Sequence, residues 1–79
     1  MTAIRVYSRQ GCHLCEQLIE ELLQLLRRRH SIEIRDIDND INWQGQFGER
    51  IPVVEIDGRI ICEHRLDVDA IESALPRGR

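Results

Sequence analysis

Cys12 and Cys15, in the run Cys12-His13-Leu14-Cys15, stand where a strand-like apolar segment gives way to a helical one. Thiols at that spacing can close and reopen a disulfide, and a helix start favours the negative thiolate that exchange requires. In a chain that begins without a secretion signal, a dithiol beside a βαβ pattern reads as a redox motif. A second feature accompanies it: Ile51-Pro52 directly precedes another strand-like run, Val53-Val54-Glu55-Ile56. The same sulfurs allow other readings. Cys62 and His64 form a C-x-H pair that could join Cys12 and Cys15 in a four-ligand zinc site. Alternatively, Cys12 and Cys15 are structural residues that happen to be close, and Cys62, after Ile60-Ile61, is a small buried hydrophobe.

For exchange chemistry the two thiols take different roles. Cys12 falls in the first helical turn, where free N–H groups and the dipole stabilise a thiolate. Cys15 lies one turn further in and less exposed. Cys12 therefore attacks a disulfide and Cys15 resolves the mixed disulfide. Arg9, three residues before Cys12, would add a positive field. His13 either tunes the reduction potential as an imidazolium or stands in solvent doing little. Pro52 fits a plain edge position; a cis bond there would instead turn the Ile51 N–H and C=O toward a bound peptide. Trp43 and Phe47 read as packing anchors. Asp36, Asp38 and Asp40 alternate, but a calcium loop's glycine and terminal glutamate are missing, so they read as solvated loop.

These residues need a scaffold, and the patterning supplies one. Ala3–Tyr7 alternates as a first strand, and Gly11 permits an unusual backbone conformation just before Cys12. Leu14, Leu18, Leu22, Leu25 and Leu26 recur at helical steps, with Ile19 and Leu23 widening the face, which predicts a helix over 13–29. Ile32–Ile37 alternates as a second strand, and a short helix capped by Asn39 or Asp40 follows. Val53–Ile56 and Arg59–Cys62 flank Asp57-Gly58, a strong hairpin signal. A closing helix over Asp67–Leu75 stops at Pro76. The order β-α-β-(short α)-β-β-α predicts an α/β fold: a central four-stranded mixed sheet flanked by helices, with the first two strands parallel through a right-handed crossover.

Seventy-nine residues, 42% hydrophobic and 32% charged, suit a single small domain over 1–79. The formal charge is −3, and every basic residue is arginine. The one dense basic run, Arg27-Arg28-Arg29, falls at the predicted helix end, where cations complement the dipole. That is too little positive charge for a nucleic-acid surface. No apolar stretch is long enough to span a membrane. The cytoplasm is the expected compartment, where cysteines are more often catalytic or metal-binding than structural.

Tyr7-Ser8-Arg9-Gln10-Gly11-Cys12-His13-Leu14-Cys15, followed by Ile51-Pro52-Val53 in this element order, resembles the glutaredoxin-like branch of the thioredoxin fold. The resemblance covers nearly the whole chain. It implies a dithiol oxidoreductase with Cys12 as nucleophile, Cys15 as resolving thiol and Pro52 as a cis-proline facing the pair. It also implies protein disulfides or glutathione as partners, a thioredoxin-type reductase as a further one, and no tightly bound cofactor. Arg9 lies where the family carries a glutathione-binding lysine, so Arg9, His13, Ile51 and Pro52 become the candidate substrate contacts. There are two departures. His13 replaces the family's proline, and Cys62-Glu63-His64-Arg65-Leu66-Asp67 lacks its glycine pair. A thioredoxin-like binding module whose cysteines do not turn over is the alternative of another class. A monomer is expected.

Overall fold

In the computed structural model, which describes residues 2–27 and 29–76, the period-2 pattern of the central strands decides the architecture. Strands β1 (Ile4–Ser8), β2 (Ile32–Asp36), β3 (Val53–Ile56) and β4 (Arg59–Glu63) form one sheet in the order β2-β1-β3-β4. β1 runs parallel to β2 and antiparallel to β3, and β3 and β4 form an antiparallel hairpin. Helices α1 (His13–Leu26), α2 (Ile41–Phe47) and α3 (Val68–Ala74) complete the expected order, with a 3-10 turn over Ile37–Asn39 before α2.

Because successive strand residues point to opposite faces, each central strand serves two cores. Ile4 and Val6 of β1 with Val54 and Ile56 of β3 pack against Leu18, Leu22 and Leu26 of α1 and Ile71 of α3. On the other face, Tyr7 and Val53 meet Ile37 and Phe47, with Trp43 and Ile51 at the margin. Tyr7 stacks on Phe47 with ring centroids 4.2 Å apart, and Trp43 meets Tyr7 edge-on at 5.7 Å. Trp43 and Phe47 are thus packing anchors, as their isolated apolar character suggests.

The hairpin turn lies at Asp57-Gly58, where both residues have positive φ (51° and 84°), the combination a two-residue turn of matching twist requires. Asp57 also ties the hairpin to β1: its N–H donates to the Ala3 carbonyl and its carboxylate accepts from the Ala3 N–H, both at 2.8 Å.

Several boundaries differ from the sequence expectation. α1 stops at Leu26 rather than Arg29, because Arg27 turns left-handed (φ 49°) and closes the helix by donating its N–H to Leu23. The expected arginine-lined last turn is therefore not formed; Arg27 is the cap, and Arg28 lies outside the described residues. The buried stripe of α1 is Cys15, Leu18, Leu22 and Leu26, while Leu14 and Leu23 are about half exposed at 52% and 49%. The run Asp36-Asp38-Asp40 is not plain solvated loop. The Asp36 carboxylate caps the 3-10 turn and that of Asp40 caps α2. α2 thus starts from one of its two expected caps, Asp40.

α2 ends at Gly48, four residues before Pro52, and this end sets the path of the loop that follows. A β-carbon on Gly48 would lie 2.6 Å from the Gln44 carbonyl oxygen, a backbone atom that cannot step aside cheaply. Gly45, inside the same helix, has open space around it. Gly48→Ala is expected to lower stability by about 1–3 kcal/mol, and Gly45→Ala to raise it by about 0.5–1 kcal/mol. Urea unfolding midpoints of the two variants, moving in opposite directions, check this.

Candidate active site

β1 delivers the chain to one end of the sheet, and Arg9, Gln10 and Gly11 carry it over to α1. Gly11 sits at φ 77°, which a side chain would resist, and the Cys12 N–H donates to the Arg9 carbonyl at 3.2 Å. Cys12 is then the N-cap of α1, with extended backbone, and its Sγ accepts the Cys15 N–H at 3.2 Å. The Glu16 N–H, in turn, donates to the Cys12 carbonyl. The two sulfurs are bonded as a disulfide, with Cα atoms 5.2 Å apart, inside the usual range for such bonds. The pair is unequal: Cys12 is half-buried, whereas Cys15 is 1% exposed. The Cys12 sulfur thus has a backbone donor aimed at it and stands at the positive end of the α1 dipole, an environment that favours a thiolate.

Pro52 reaches the same end of the sheet from the other side. Tyr7 is paired with Val53, so Pro52 lies in register beside Ser8, the last residue of β1. The Ile51–Pro52 peptide is cis and Pro52 is buried. The Pro52 carbonyl accepts the His64 N–H at 2.8 Å, which binds the segment after β4 to this loop. His64 itself has φ 68°, a conformation usually left to glycine, and it lies in the segment that lacks the family's glycine pair.

The remaining candidates behave less simply. His13 opens α1 and is exposed. The Ile51 N–H is not turned out toward a ligand: it donates to the Phe47 carbonyl at 3.1 Å, because the end of α2 captures it. Arg9 does not direct an unopposed charge at Cys12; its guanidinium engages Asp38, with Nη2 to Oδ1 at 3.0 Å. Cys62 and His64 do not join Cys12 and Cys15. Cys62 packs from β4 against the core beneath α1 and α3, and among the described residues no three His, Cys, Asp or Glu side chains converge as metal ligands.

Cys62 also differs in chemistry. Burial pushes its thiol up, and the nearby Asp67 and Glu63 carboxylates push the same way, against a hydrogen bond from the Asp67 backbone. It stays a thiol at neutral pH and is a poor nucleophile.

One site contact was invisible in the sequence. Arg50, two residues before Pro52, donates from Nε to Glu63 at the end of β4 at 3.0 Å, and its Nη2 pairs with the same carboxylate oxygen. Thirteen residues separate the two, so only the β3–β4 register could have brought them to notice.

The family model described as Glutaredoxin-like domain (DUF836) matches residues 3–76. The chain belongs to this glutaredoxin-like family. It is similar to a "Glutaredoxin-like protein YDR286C homolog" of Dictyostelium discoideum, at 36% identity over 86% of this chain and 69% of that protein. Among solved structures, the solution structure of Ne2328 from Nitrosomonas europaea superposes with TM-score 0.85 at 31% identity, covering 95% of this chain and 92% of that one. A mutant of the thioredoxin-like protein BC3987, at 20% identity, TM-score 0.62 and coverage of 92% and 99%, shares the fold alone. The thioredoxin-type, glutaredoxin-like architecture expected from the motifs is therefore what this chain has.

The glutaredoxin-like domain places two depressed carboxylates in ion pairs. The Arg50 guanidinium holds the Glu63 carboxyl below the usual glutamate range. Hydrogen bonds from Arg35, then Arg5, do the same for Glu33. A carboxylate depressed in the folded state adds stability that is present at neutral pH and lost as pH falls through its folded value. Stability should therefore decline as pH drops below the glutamate range, and Glu63→Gln should flatten that decline. Denaturant midpoints measured from pH 6 down to pH 3 provide the check.

Proposed function

We propose that this glutaredoxin-like domain is a dithiol oxidoreductase that reduces disulfides by thiol–disulfide exchange through Cys12 and Cys15. The observation that carries this reading is the unequal pair at the start of α1: a half-buried Cys12 sulfur that accepts a backbone N–H, bonded to a fully buried Cys15. In the reduced form Cys12, as thiolate, attacks one sulfur of a substrate disulfide and releases the other as a thiol. Cys15 then attacks the mixed disulfide, freeing the second substrate thiol and leaving the Cys12–Cys15 bond. The helix start lowers the energy of the attacking thiolate, and burial keeps Cys15 out of reach of all but the adjacent sulfur. In this reading Ile51 and Pro52, at the same end of the sheet as Cys12, contribute to the substrate contact from the β3 side. With the Ile51 N–H given to Phe47, a bound chain would meet the carbonyl side of that residue. The electrons return from glutathione or a thioredoxin-type reductase, in the reducing environment of the cytoplasm.

Turnover assays with insulin and with a glutathione mixed disulfide test this. Cys12→Ser should abolish both activities. Cys15→Ser should abolish insulin reduction, and any residual rate it retains on the mixed disulfide identifies a monothiol route. Cys62→Ser should leave rates within about twofold of wild type, because the Cys62 thiol takes no part in the exchange. Thiol titration of the reduced protein should give Cys12 a pKa below the free value of about 8.5. An ordinary Cys12 pKa together with stoichiometric zinc binding would replace catalysis by metal binding.

A further inference from the structure

Charges on the two segments that carry Cys12 and Pro52 bear on which disulfide can approach. Arg9 stands three residues before Cys12, and Arg50 two before Pro52. Each is the cation that an anionic substrate would meet on its side, and each is already engaged by a carboxylate of the chain itself. Arg9 forks onto Asp38, with Nε 3.1 Å from both carboxylate oxygens and Nη2 3.0 Å from Oδ1. Asp38 is held ready for it: its N–H donates to the Asp36 carboxylate at 2.9 Å, and Gln44 donates to its carbonyl at 3.3 Å. Arg50 pairs with Glu63, donates from Nη1 to the Gln46 carbonyl at 3.3 Å, and lies over the Phe47 ring at 5.6 Å.

One carboxylate therefore faces each of these guanidinium groups: Asp38 on Arg9 and Glu63 on Arg50. The carboxylates of Asp36 and Asp40, on either side of Asp38 in the chain, cap the 3-10 turn and α2. Glutathione carries two carboxylates and one ammonium at neutral pH, so it needs cations, and here it must displace an internal carboxylate to reach either one. The Arg9–Asp38 fork, with Asp38 anchored through its backbone N–H and carbonyl, competes directly with such a ligand. A polypeptide disulfide with neutral or basic neighbours has no such requirement, and the chain's net charge of −3 favours basic neighbours over acidic ones.

We infer that Asp38 and Glu63 are specificity-determining residues, which by occupying Arg9 and Arg50 select against glutathione and in favour of polypeptide disulfides flanked by neutral or basic residues. This rests on the exchange reading proposed above for the same site.

The inference is read most directly without chemistry, by titrating S-methylglutathione, which cannot exchange, into the reduced protein and following backbone NMR shifts. Asp38→Asn and Glu63→Gln should each tighten binding about two- to fivefold, the range of an exposed ion pair. Adding Arg9→Gln to Asp38→Asn should remove the gain. Equal affinity in wild type and both single variants overturns the inference, and so does a gain that survives the loss of Arg9. In turnover, wild type should show a higher kcat/KM for a lysine-flanked peptide disulfide than for the same peptide flanked by glutamate; parity or reversal overturns it. Failure to turn over either peptide instead overturns the exchange reading, while the titration still reports on Asp38 and Glu63 by themselves.

Discussion

At the start of α1 a sulfur atom does the work usually given to a serine, threonine or aspartate oxygen: the Cys12 Sγ accepts the Cys15 N–H. A thioether-like or disulfide sulfur is a weak acceptor, whereas a thiolate makes a charge-assisted hydrogen bond. The quality of the cap thus depends on the redox state of the residue that forms it. Local structure and chemistry are coupled here without any moving part, because the helix that needs capping is also the dipole that stabilises the thiolate. The rest of the molecule can be understood as holding that helix start still. β1 brings the chain to it, the Gly11 turn orients it, and Leu18, Leu22 and Leu26 bind the helix body to the sheet.

The opposite face of the sheet solves a different problem. α2 has seven residues and covers only the site end, where Tyr7, Val53 and Phe47 pack. Beyond that, the alternation of β1, β2 and β3 turns polar. Arg5 reaches Glu33 at 3.2 Å and Glu55 at 3.3 Å, and Arg35 reaches Glu33 at 2.9 Å and the Tyr7 hydroxyl at 3.2 Å. Arg35 also lies 5.2 Å over the Trp43 ring. Cross-strand pairs of opposite charge stabilise a sheet modestly, but they also keep an uncovered face from associating with other chains. Tyr7 joins the two halves, its ring in the apolar cluster and its hydroxyl in the ionic one. The site end of the sheet is therefore the dry end, which suits a place where a cysteine and a proline must stay fixed.

How much of this was legible depends on range. The helix face, the alternating strands, the Asp57-Gly58 turn and the placement of Cys12 at a helix start are all local patterns, and each is present as expected, within a few residues at the ends. The errors have local causes too. Arg27 ends α1 by a backbone conformation that no periodicity announces, and the Asp36–Asp40 run reads as solvent-facing loop because caps and loops use the same residues. What could not be read were pairings across elements: Arg9 with Asp38, Arg50 with Glu63, and the Ile51 N–H with Phe47. Each joins residues whose proximity follows from register and loop path rather than from composition. The charges of the site, unlike its sulfurs, are thus a tertiary property.

The same distinction bears on what the fold would lose if the Cys12–Cys15 bond opened. A disulfide stabilises by restricting the unfolded chain, and the gain grows with the loop it closes. The Cys12–Cys15 loop is about the shortest available, worth about 2 kcal/mol at most in the chain-entropy account. Burial of Leu18, Leu22 and Leu26, at about 1.5–3 kcal/mol each relative to exposure, outweighs it and does not involve the two sulfurs. A cross-link between distant elements would lock the fold to one redox state. One confined to a single helical turn leaves both states folded, and that is the condition under which a disulfide can serve as an exchangeable group rather than a staple.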